Sequence, residues 1–317
     1  MGFNELLMLV GFTLAAYSVV SNDSIQTLGT FIAANANRPW WMLWLFASSI
    51  LVVVLLYGWF VNAGDPSYGR LAKFPEPAGG ISWIHIAAPL TLLVLTRFGI
   101  PVSTTFLVLS VFAPGNIDSM LMKSILGYIV AFGVAMILYV VLRKAVAWFL
   151  EPIDPEARRV WVPIQWLSTA FLWSQWLVQD LANIFVFMPR DLSFNWLLLG
   201  LLILIGMQGY IFYQRGGAIQ QIVRSKQDVS DIRSATLIDI SYGLILFFFK
   251  ELNDMPMSTT WVFLGLLAGR ELAMTLALGS ERRIQTWQVI ASDAFKAGSG
   301  LVISVLLALA GIWMAAS

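Results

Sequence analysis

The chain has 317 residues, of which 59% are apolar and only 12% are charged, and its net charge is +1. Soluble globular domains are about 25% charged, so this composition indicates an integral membrane protein and gives no sign of a nucleic-acid partner. The absence of cysteine excludes disulfides and thiol catalysis, and a single histidine, His85, excludes a histidine-rich metal site.

Long apolar stretches and short polar breaks alternate along the first half, residues 1–150. The sequence predicts an apolar helix over 6–32 with a polar break at 21–24, a span over 40–61, a polar loop over 62–80, an apolar arm over 81–96, a short helix that starts at Pro101, and a span over 120–150.

The second half, residues 161–317, repeats this order after a charged linker at 151–160. It has an apolar stretch from Trp161 that is interrupted at 179–180, a span over 196–213, a charged loop over 215–233, an apolar arm over 235–249 with a turn from Lys250, a short helix that starts at Pro256, and a last span from 289.

The two halves carry the same landmarks at nearly constant spacing. Asp23 and Asp180 are 157 positions apart, and Pro101 and Pro256 are 155 apart. Internal repeats with interrupted helices at corresponding places are typical of secondary transporters. We therefore expect an all-α polytopic membrane protein with an inverted repeat. Each half would contain about three crossings and one re-entrant helical hairpin, with broken helices near the midplane.

This topology also predicts the orientation in the cell membrane. More Lys and Arg residues, Arg270 among them, would lie inside than outside, where Arg70 and Lys123 would lie. Positive charge is retained on the inner side of membranes, so both termini are expected outside.

A row of three hydroxyl side chains follows each landmark proline. Proline and Ser or Thr favour the first turn of a helix, where backbone N–H groups are unpaired and attract anions. We expect these rows to bind an oxyanion; the alternative is that the hydroxyls only bond within or between helices. The rows are Ser103, Thr104, Thr105 and Ser258, Thr259, Thr260.

Two carboxylates stand at membrane depth, each between two amide side chains. Carboxylate and amide oxygens are ligands that suit Na⁺, whereas a carboxylate alone suits H⁺. The alternative is that each Asp only caps a resuming half-helix. The expected coupling-cation residues are Asn22, Asp23 and Gln26 in one half and Gln179, Asp180 and Asn183 in the other.

Other charged groups lie close to these motifs in the sequence. Arg97 and Lys250 are expected at the two hairpin tips, where they would pair with acidic residues or face the substrate. The roles of His85, Asp239, Asp293 and Lys296 are left unassigned.

The combined pattern resembles the inorganic phosphate transporter (PiT) family, which carries an Asn-Asp motif and a Pro-Val-Ser-Thr-Thr-His motif once per half. The segments 21–26 and 178–183 resemble the first motif, and 101–105 and 256–260 the second. This chain departs from the family at the motif histidine, which is Phe106 in one half and Trp261 in the other.

The resemblance implies a symporter of inorganic phosphate with Na⁺ or H⁺, with the hydroxyl rows holding the anion and the Asp-amide groups the cation. The alternative within transport is another oxyanion such as sulfate or bicarbonate. A second alternative is an intramembrane enzyme, but the sequence shows no nucleophile–base pair. The third option is a sensor that has lost transport. The expected partners are the oxyanion and the lipid bilayer, and a homodimer is possible. No organic cofactor is expected.

Overall fold

A computed structural model describes residues 2–97, 102–141, 153–216, 220, 231–252, 256–278 and 283–316. The helices in these ranges are α1 (Phe3–Ala34), α2 (Trp40–Val61), α3 (Trp83–Arg97), α4 (a π-helical turn Thr105–Leu109 followed by Ser110–Phe112), α5 (Ile117–Val141), α6 (Pro155–Phe185), α7 (Phe194–Tyr213), α8 (Ile232–Leu252), α9 (Thr259–Leu278) and α10 (Arg283–Ala316). Short 3₁₀ turns lie at Arg70–Lys73 and Pro114–Asn116.

Six of the described helices are long and apolar enough to cross a membrane, namely α1, α2, α5, α7, α8 and α10. The multi-pass, all-helical class predicted from composition is therefore confirmed for the described part of the chain. Helix α6 is not among the six, although it has 31 residues. Its last three turns contain Gln179, Asp180 and Asn183, all buried inside the protein.

The prediction of broken helices is wrong, because α1 and α6 are continuous through their aspartates. In α1 the Thr27 hydroxyl donates to the Asp23 carbonyl at 3.2 Å, as Ser and Thr do within unbroken helices. Several of the polar side chains that suggested a break find partners outside their own helix, such as Asp23 with Thr104 and Gln179 with the Leu246 carbonyl. The backbone therefore keeps its own hydrogen bonds, and only the side chains need polar surroundings.

Helix α3 begins, and helix α4 ends, at the same end of the molecule. The rings of His85, near the start of α3, and Phe112, at the end of α4, lie 4.6 Å apart. Four residues beyond Phe112, the Asn116 side chain donates to the Lys73 carbonyl at 2.8 Å, within the loop that precedes α3. Between these contacts the chain runs into the protein, where the Thr104 hydroxyl donates a hydrogen bond to Asp23 of α1.

Helices α8 and α9 form the corresponding pair in the second half, with different lengths from those predicted. Helix α8 extends to Leu252, so Lys250 lies in a helix and not in a turn. Helix α9 begins three residues after Pro256 and has 20 residues, whereas α4 has only eight. Pro256 therefore precedes α9 instead of occupying its first turn.

Side-chain contacts show which helices run together. Helix α8 packs along α6, with Gln165 near Asp239 and the Gln179 amide donating to the Leu246 carbonyl at 3.2 Å. Helix α3 packs along α1, where the Ser18 hydroxyl is 3.1 Å from the Pro89 carbonyl. In each half, the first arm therefore lies against the first helix of its own half.

The second arms lie against the last helix of the other half: α4 packs on α10, and α9 packs closely on α5. A Cβ built at Gly265 or Gly269 of α9 would collide with the backbone of Tyr128 or Phe132 in α5. Small residues of this kind allow membrane helices to approach closely. Lys123 in α5 was expected on the outside of the membrane and Arg270 in α9 on the inside, and both are buried within these helices.

The two termini lie at one end of the molecule. The Asn4 side chain accepts a hydrogen bond from the Ile81 amide at 2.9 Å, and a Cβ at Gly311 would lie 3.7 Å from Ile84. The junction between the halves lies at the opposite end of α1, where Arg158 donates to the Ala34 carbonyl at 3.2 Å. Helix α6 already begins at Pro155, six residues before the predicted Trp161.

Candidate functional site

The two hydroxyl rows start helices in the same way. The Ser103 oxygen accepts a hydrogen bond from the Phe106 amide at 3.2 Å, and the Ser258 oxygen accepts one from the Trp261 amide at the same distance. Both serines are therefore N-caps, each bonded to the amide three residues on. Capping occupies their oxygens and leaves the threonines as the hydroxyls directed toward other groups. In the first row, the threonines continue into a π-helical turn, a geometry often found at functional sites.

Asp23 is fully buried between the two rows. Its carboxylate accepts a hydrogen bond from Thr104 of its own half and lies 3.4 Å from the Thr260 hydroxyl of the other half. The Asn22 amide donates to the same carboxylate at 2.8 Å and approaches the Val102 carbonyl at 3.2 Å. Gln26, one turn later, is within 3.4 Å of the Asn22 side chain.

Asp180 has the corresponding neighbours in the second half. The Asn183 amide donates to its carboxylate at 2.6 Å, and the Thr105 hydroxyl, from the first half, lies 3.5 Å away. Thr259 lies beside the same carboxylate. The Asn183 amide also approaches the hydroxyls of Thr104 and Thr105 at 3.1 and 3.3 Å. Each carboxylate is thus flanked by one threonine from each half.

Contacts between the rows are reciprocal. The Thr105 hydroxyl donates to the Met257 carbonyl at 3.2 Å, and the Thr260 hydroxyl lies 3.4 Å from the Val102 carbonyl. The two contacts are equivalent, because Thr260 is 155 positions after Thr105 and Met257 is 155 positions after Val102. The Phe106 and Trp261 rings, which follow the rows, lie 5.8 Å apart. The structure therefore brings all six predicted row residues and all six predicted Asp-amide residues to one buried region.

Several oxygens in this region lack hydrogen-bond donors. Among the described residues, the buried oxygens without a partner include Gln179 Oε1, Asp180 Oδ2, Asn183 Oδ1 and Ser24 Oγ. A buried oxygen without a donor is costly, and carboxylate and amide oxygens are of the types that bind hard cations. Three of these four oxygens belong to the second half, at Gln179, Asp180 and Asn183.

The structure describes the charged residues predicted at the hairpin tips only in part. Arg97 is the last residue of α3 and Lys250 lies in α8, while the side chains of both, and Pro101 altogether, lie outside the described parts. The Asp293 side chain does too, and Lys296 in α10 is partly exposed. His85 accepts a hydrogen bond from the Ser82 amide at 3.1 Å, at the start of α3.

Two residues that the sequence did not point to support the second hydroxyl row. The Ser124 hydroxyl of α5 accepts a hydrogen bond from the Ser258 amide at 2.8 Å, and the Tyr242 hydroxyl of α8 donates to the Thr259 carbonyl at 2.9 Å. Both fix the start of α9. A single hydroxyl in an apolar helix is too common to be noticed in the sequence, so only the packing identifies them.

Asp239 forms a separate buried cluster that joins three helices. Its carboxylate accepts hydrogen bonds from Thr30 of α1 at 2.7 Å and from Thr169 of α6 at 2.5 Å. The Gln165 amide nitrogen lies 3.5 Å from this carboxylate, and the Gln165 amide oxygen accepts a hydrogen bond from the Asn35 side chain at 3.0 Å. This network connects α8 to the ends of α1 and α6 nearest the junction between the halves.

Comparisons with known proteins point to one fold. No protein-family model matches the sequence, and no curated protein is significantly similar to it. A solved structure described as "The sodium-dependent phosphate transporter" matches with a TM-score of 0.65, over 99% of this chain and 99% of that one, at 16% identity. The chain therefore has the fold of that sodium-dependent phosphate transporter over essentially its whole length.

Proposed function

We propose that this protein is a secondary active transporter that moves inorganic phosphate across the membrane together with Na⁺. The observation that carries this proposal is the pairing of each buried carboxylate with one threonine from each half of the chain. The likeness of fold to a sodium-dependent phosphate transporter supports the same substrate and the same coupling ion.

The hydroxyl rows supply the groups that an oxyanion needs. The starts of α4 and α9 meet in one buried region, and helix starts present unpaired N–H groups and a partial positive charge. Threonine hydroxyls add donors that replace the water around the anion. These donors are now turned toward Asp23 and Asp180, so the carboxylates compete with the anion for them.

This competition explains why a cation is required. A phosphate would enter a region that already contains two carboxylates, at a high electrostatic cost in low dielectric. Na⁺ at Asp180, held by the donor-free oxygens of Gln179 and Asn183, would neutralise one of these charges. Each ion would then increase the affinity for the other, which is the thermodynamic basis of symport. A proton on either carboxylate is the alternative coupling ion.

The contacts also support the inverted repeat and the re-entrant hairpins. The α3–α4 unit starts and ends beside His85 and Phe112, at the end of the molecule where Asn4 lies. The α8–α9 unit starts near the junction between the halves, because Asp239 contacts Thr30 close to the end of α1. Two hairpins that enter from opposite ends suit alternating access around a fixed site.

The direct test is uptake of labelled phosphate by proteoliposomes that contain the purified protein. A sodium gradient is expected to drive accumulation, and collapsing the gradient is expected to abolish it. An H⁺ gradient that drives uptake in the absence of Na⁺ would transfer the coupling role to a proton. Labelled sulfate and bicarbonate test the other oxyanions in the same assay. Sodium-driven uptake of either one without uptake of phosphate would overturn phosphate as the substrate.

A further inference from the structure

Tyr242 of α8 contacts the start of α9 at two points. Its side chain is only 1% exposed, and its hydroxyl donates to the Thr259 carbonyl at 2.9 Å. Its ring lies 5.9 Å from the ring of Phe263, which is one turn further along α9. Residues four apart lie on the same face of a helix, so contacts with both fix the height and the rotation of the helix start. The direction of the first turn of α9 therefore depends on Tyr242.

Tyr242 is itself held in place by the close packing of α8 on α6. The next residue is Gly243, and a Cβ built there would lie 2.7 Å from the Phe171 ring and 3.2 Å from the Leu172 Cα atom. Asp180 follows about two turns later in the same helix, α6. Tyr242 therefore connects the helix of the candidate cation site to the second hydroxyl row.

A second hydroxyl holds the same turn from another helix. The Ser124 hydroxyl of α5 donates to the Met120 carbonyl at 2.7 Å and accepts a hydrogen bond from the Ser258 amide at 2.8 Å. The first half has no tyrosine at the place that corresponds to Tyr242, since Ala87 stands 155 positions earlier. The Tyr242 contact is therefore a feature of the second row alone.

We propose that Tyr242 is a positioning residue for the oxyanion, whose hydroxyl holds the second row in a fixed place relative to α6. This inference rests on the proposed phosphate–Na⁺ symport. The row needs such control, because Thr259 lies beside Asp180 and the Thr260 hydroxyl lies 3.4 Å from the Asp23 carboxylate. Donors that are already in place need no ordering when the anion binds, so its affinity is higher. Tyr242 acts through the row and not by contact with either ion.

Tyr242→Phe removes the hydroxyl and keeps the ring that packs on Phe263. We expect this variant to raise the phosphate concentration for half-maximal thermal stabilisation in the presence of Na⁺ about fivefold, as the loss of one hydrogen bond does. In proteoliposomes the KM for phosphate should rise by the same factor with little change in kcat. The Na⁺ midpoint without phosphate should stay close to that of the wild type, because the oxygens proposed for Na⁺ lie on α6, at Gln179, Asp180 and Asn183.

Tyr139→Phe is the matched control. Tyr139 of α5 is also buried, and its hydroxyl has no hydrogen-bond partner among the described residues. The same chemical change should therefore leave the melting temperature and both midpoints as they are in the wild type. If Tyr242→Phe does not fold, Ser124→Ala releases the same turn from α5 and should raise the phosphate midpoint in the same way.

The outcomes separate this inference from the function on which it rests. If the Tyr242 variant melts at a lower temperature but keeps the wild-type phosphate midpoint, its hydroxyl only stabilises the fold and the positioning role is overturned. Equal shifts of the phosphate and Na⁺ midpoints, or an equal phosphate shift in the control, overturn it as well. A wild type that phosphate does not stabilise, with or without Na⁺, overturns the proposed symport itself.

Discussion

Asp23 and Asp180 hold equivalent places in the two halves, but their surroundings differ. Both oxygens of the Asp23 carboxylate have donors, from Asn22, Thr104 and Thr260. At Asp180, Asn183 and Thr105 both lie at Oδ1, and Oδ2 has no donor among the described residues. Donors stabilise a bare carboxylate, whereas free oxygens favour a cation. We infer that the second half binds Na⁺ more tightly than the first.

This difference predicts unequal effects of the two conservative substitutions. Both Asp23→Asn and Asp180→Asn should fold and should weaken sodium-driven phosphate uptake. Asp180→Asn should raise the Na⁺ midpoint of thermal stabilisation at least tenfold, or about 1.4 kcal/mol, and Asp23→Asn should raise it less. Equal shifts in the two variants would contradict the asymmetry, and normal uptake in both would remove the cation role altogether.

Serines and threonines of the same row are expected to differ in what they contribute. Ser103→Ala and Ser258→Ala remove N-caps and should each lower the free energy of unfolding by about 1 kcal/mol with little change in phosphate affinity. Thr104→Val and Thr259→Val keep the side-chain shape and remove a hydroxyl from the site. They should raise the KM for phosphate uptake about fivefold to tenfold. A larger KM effect from the serine variants would show that the caps themselves bind the anion.

Among the described helices, α9 and α5 pack most closely. Gly265 and Gly269 allow the α9 backbone to touch the carbonyls of Tyr128 and Phe132. This contact fixes the direction of α9 and hence the position of its first turn, which carries Thr259 and Thr260. The glycine spacing in the sequence is compatible with many interfaces, so the partner helix was visible only in the packing.

Adding one methyl group at this contact should be costly. Gly265→Ala or Gly269→Ala should lower the free energy of unfolding by about 1–3 kcal/mol, because the helices must separate. Gly206→Ala in α7 is the control, since a Cβ there would meet no atom within 4 Å and alanine favours helices. Thermal unfolding in detergent compares the three variants. A control that is as unstable as the contact variants would mean that the collision with α5 is not the cause of their loss of stability.

At the scale of the whole molecule, the cysteine-free sequence allows the orientation to be tested directly. Gly79 lies exposed in the loop before α3, with open space for a side chain, and Arg159 lies exposed near the start of α6 at the other end. If both termini are outside, a membrane-impermeant maleimide should label Gly79→Cys in intact cells. It should label Arg159→Cys only after the membrane is permeabilised. The reverse pattern would invert the topology.

Composition and the duplicated motifs were enough to predict a polytopic helical protein with two hydroxyl rows and two aspartates as its centre. Residue type decides these features, because apolar stretches must lie in lipid and buried polar groups must find partners. The continuity of α1 and α6 could not be predicted. A cluster of polar residues looks the same in the sequence whether the helix backbone breaks there or continues and only carries polar side chains. The length of α9 depended likewise on its packing with α5.

The amino-acid sequence is enough to show which residues are polar at membrane depth and that they occur twice at nearly constant spacing. How these residues are paired depends on the tertiary packing, which places Thr260 near Asp23 and Thr105 near Asp180. These partners are 75 residues or more apart in the chain, so only the packing of the two halves brings them together.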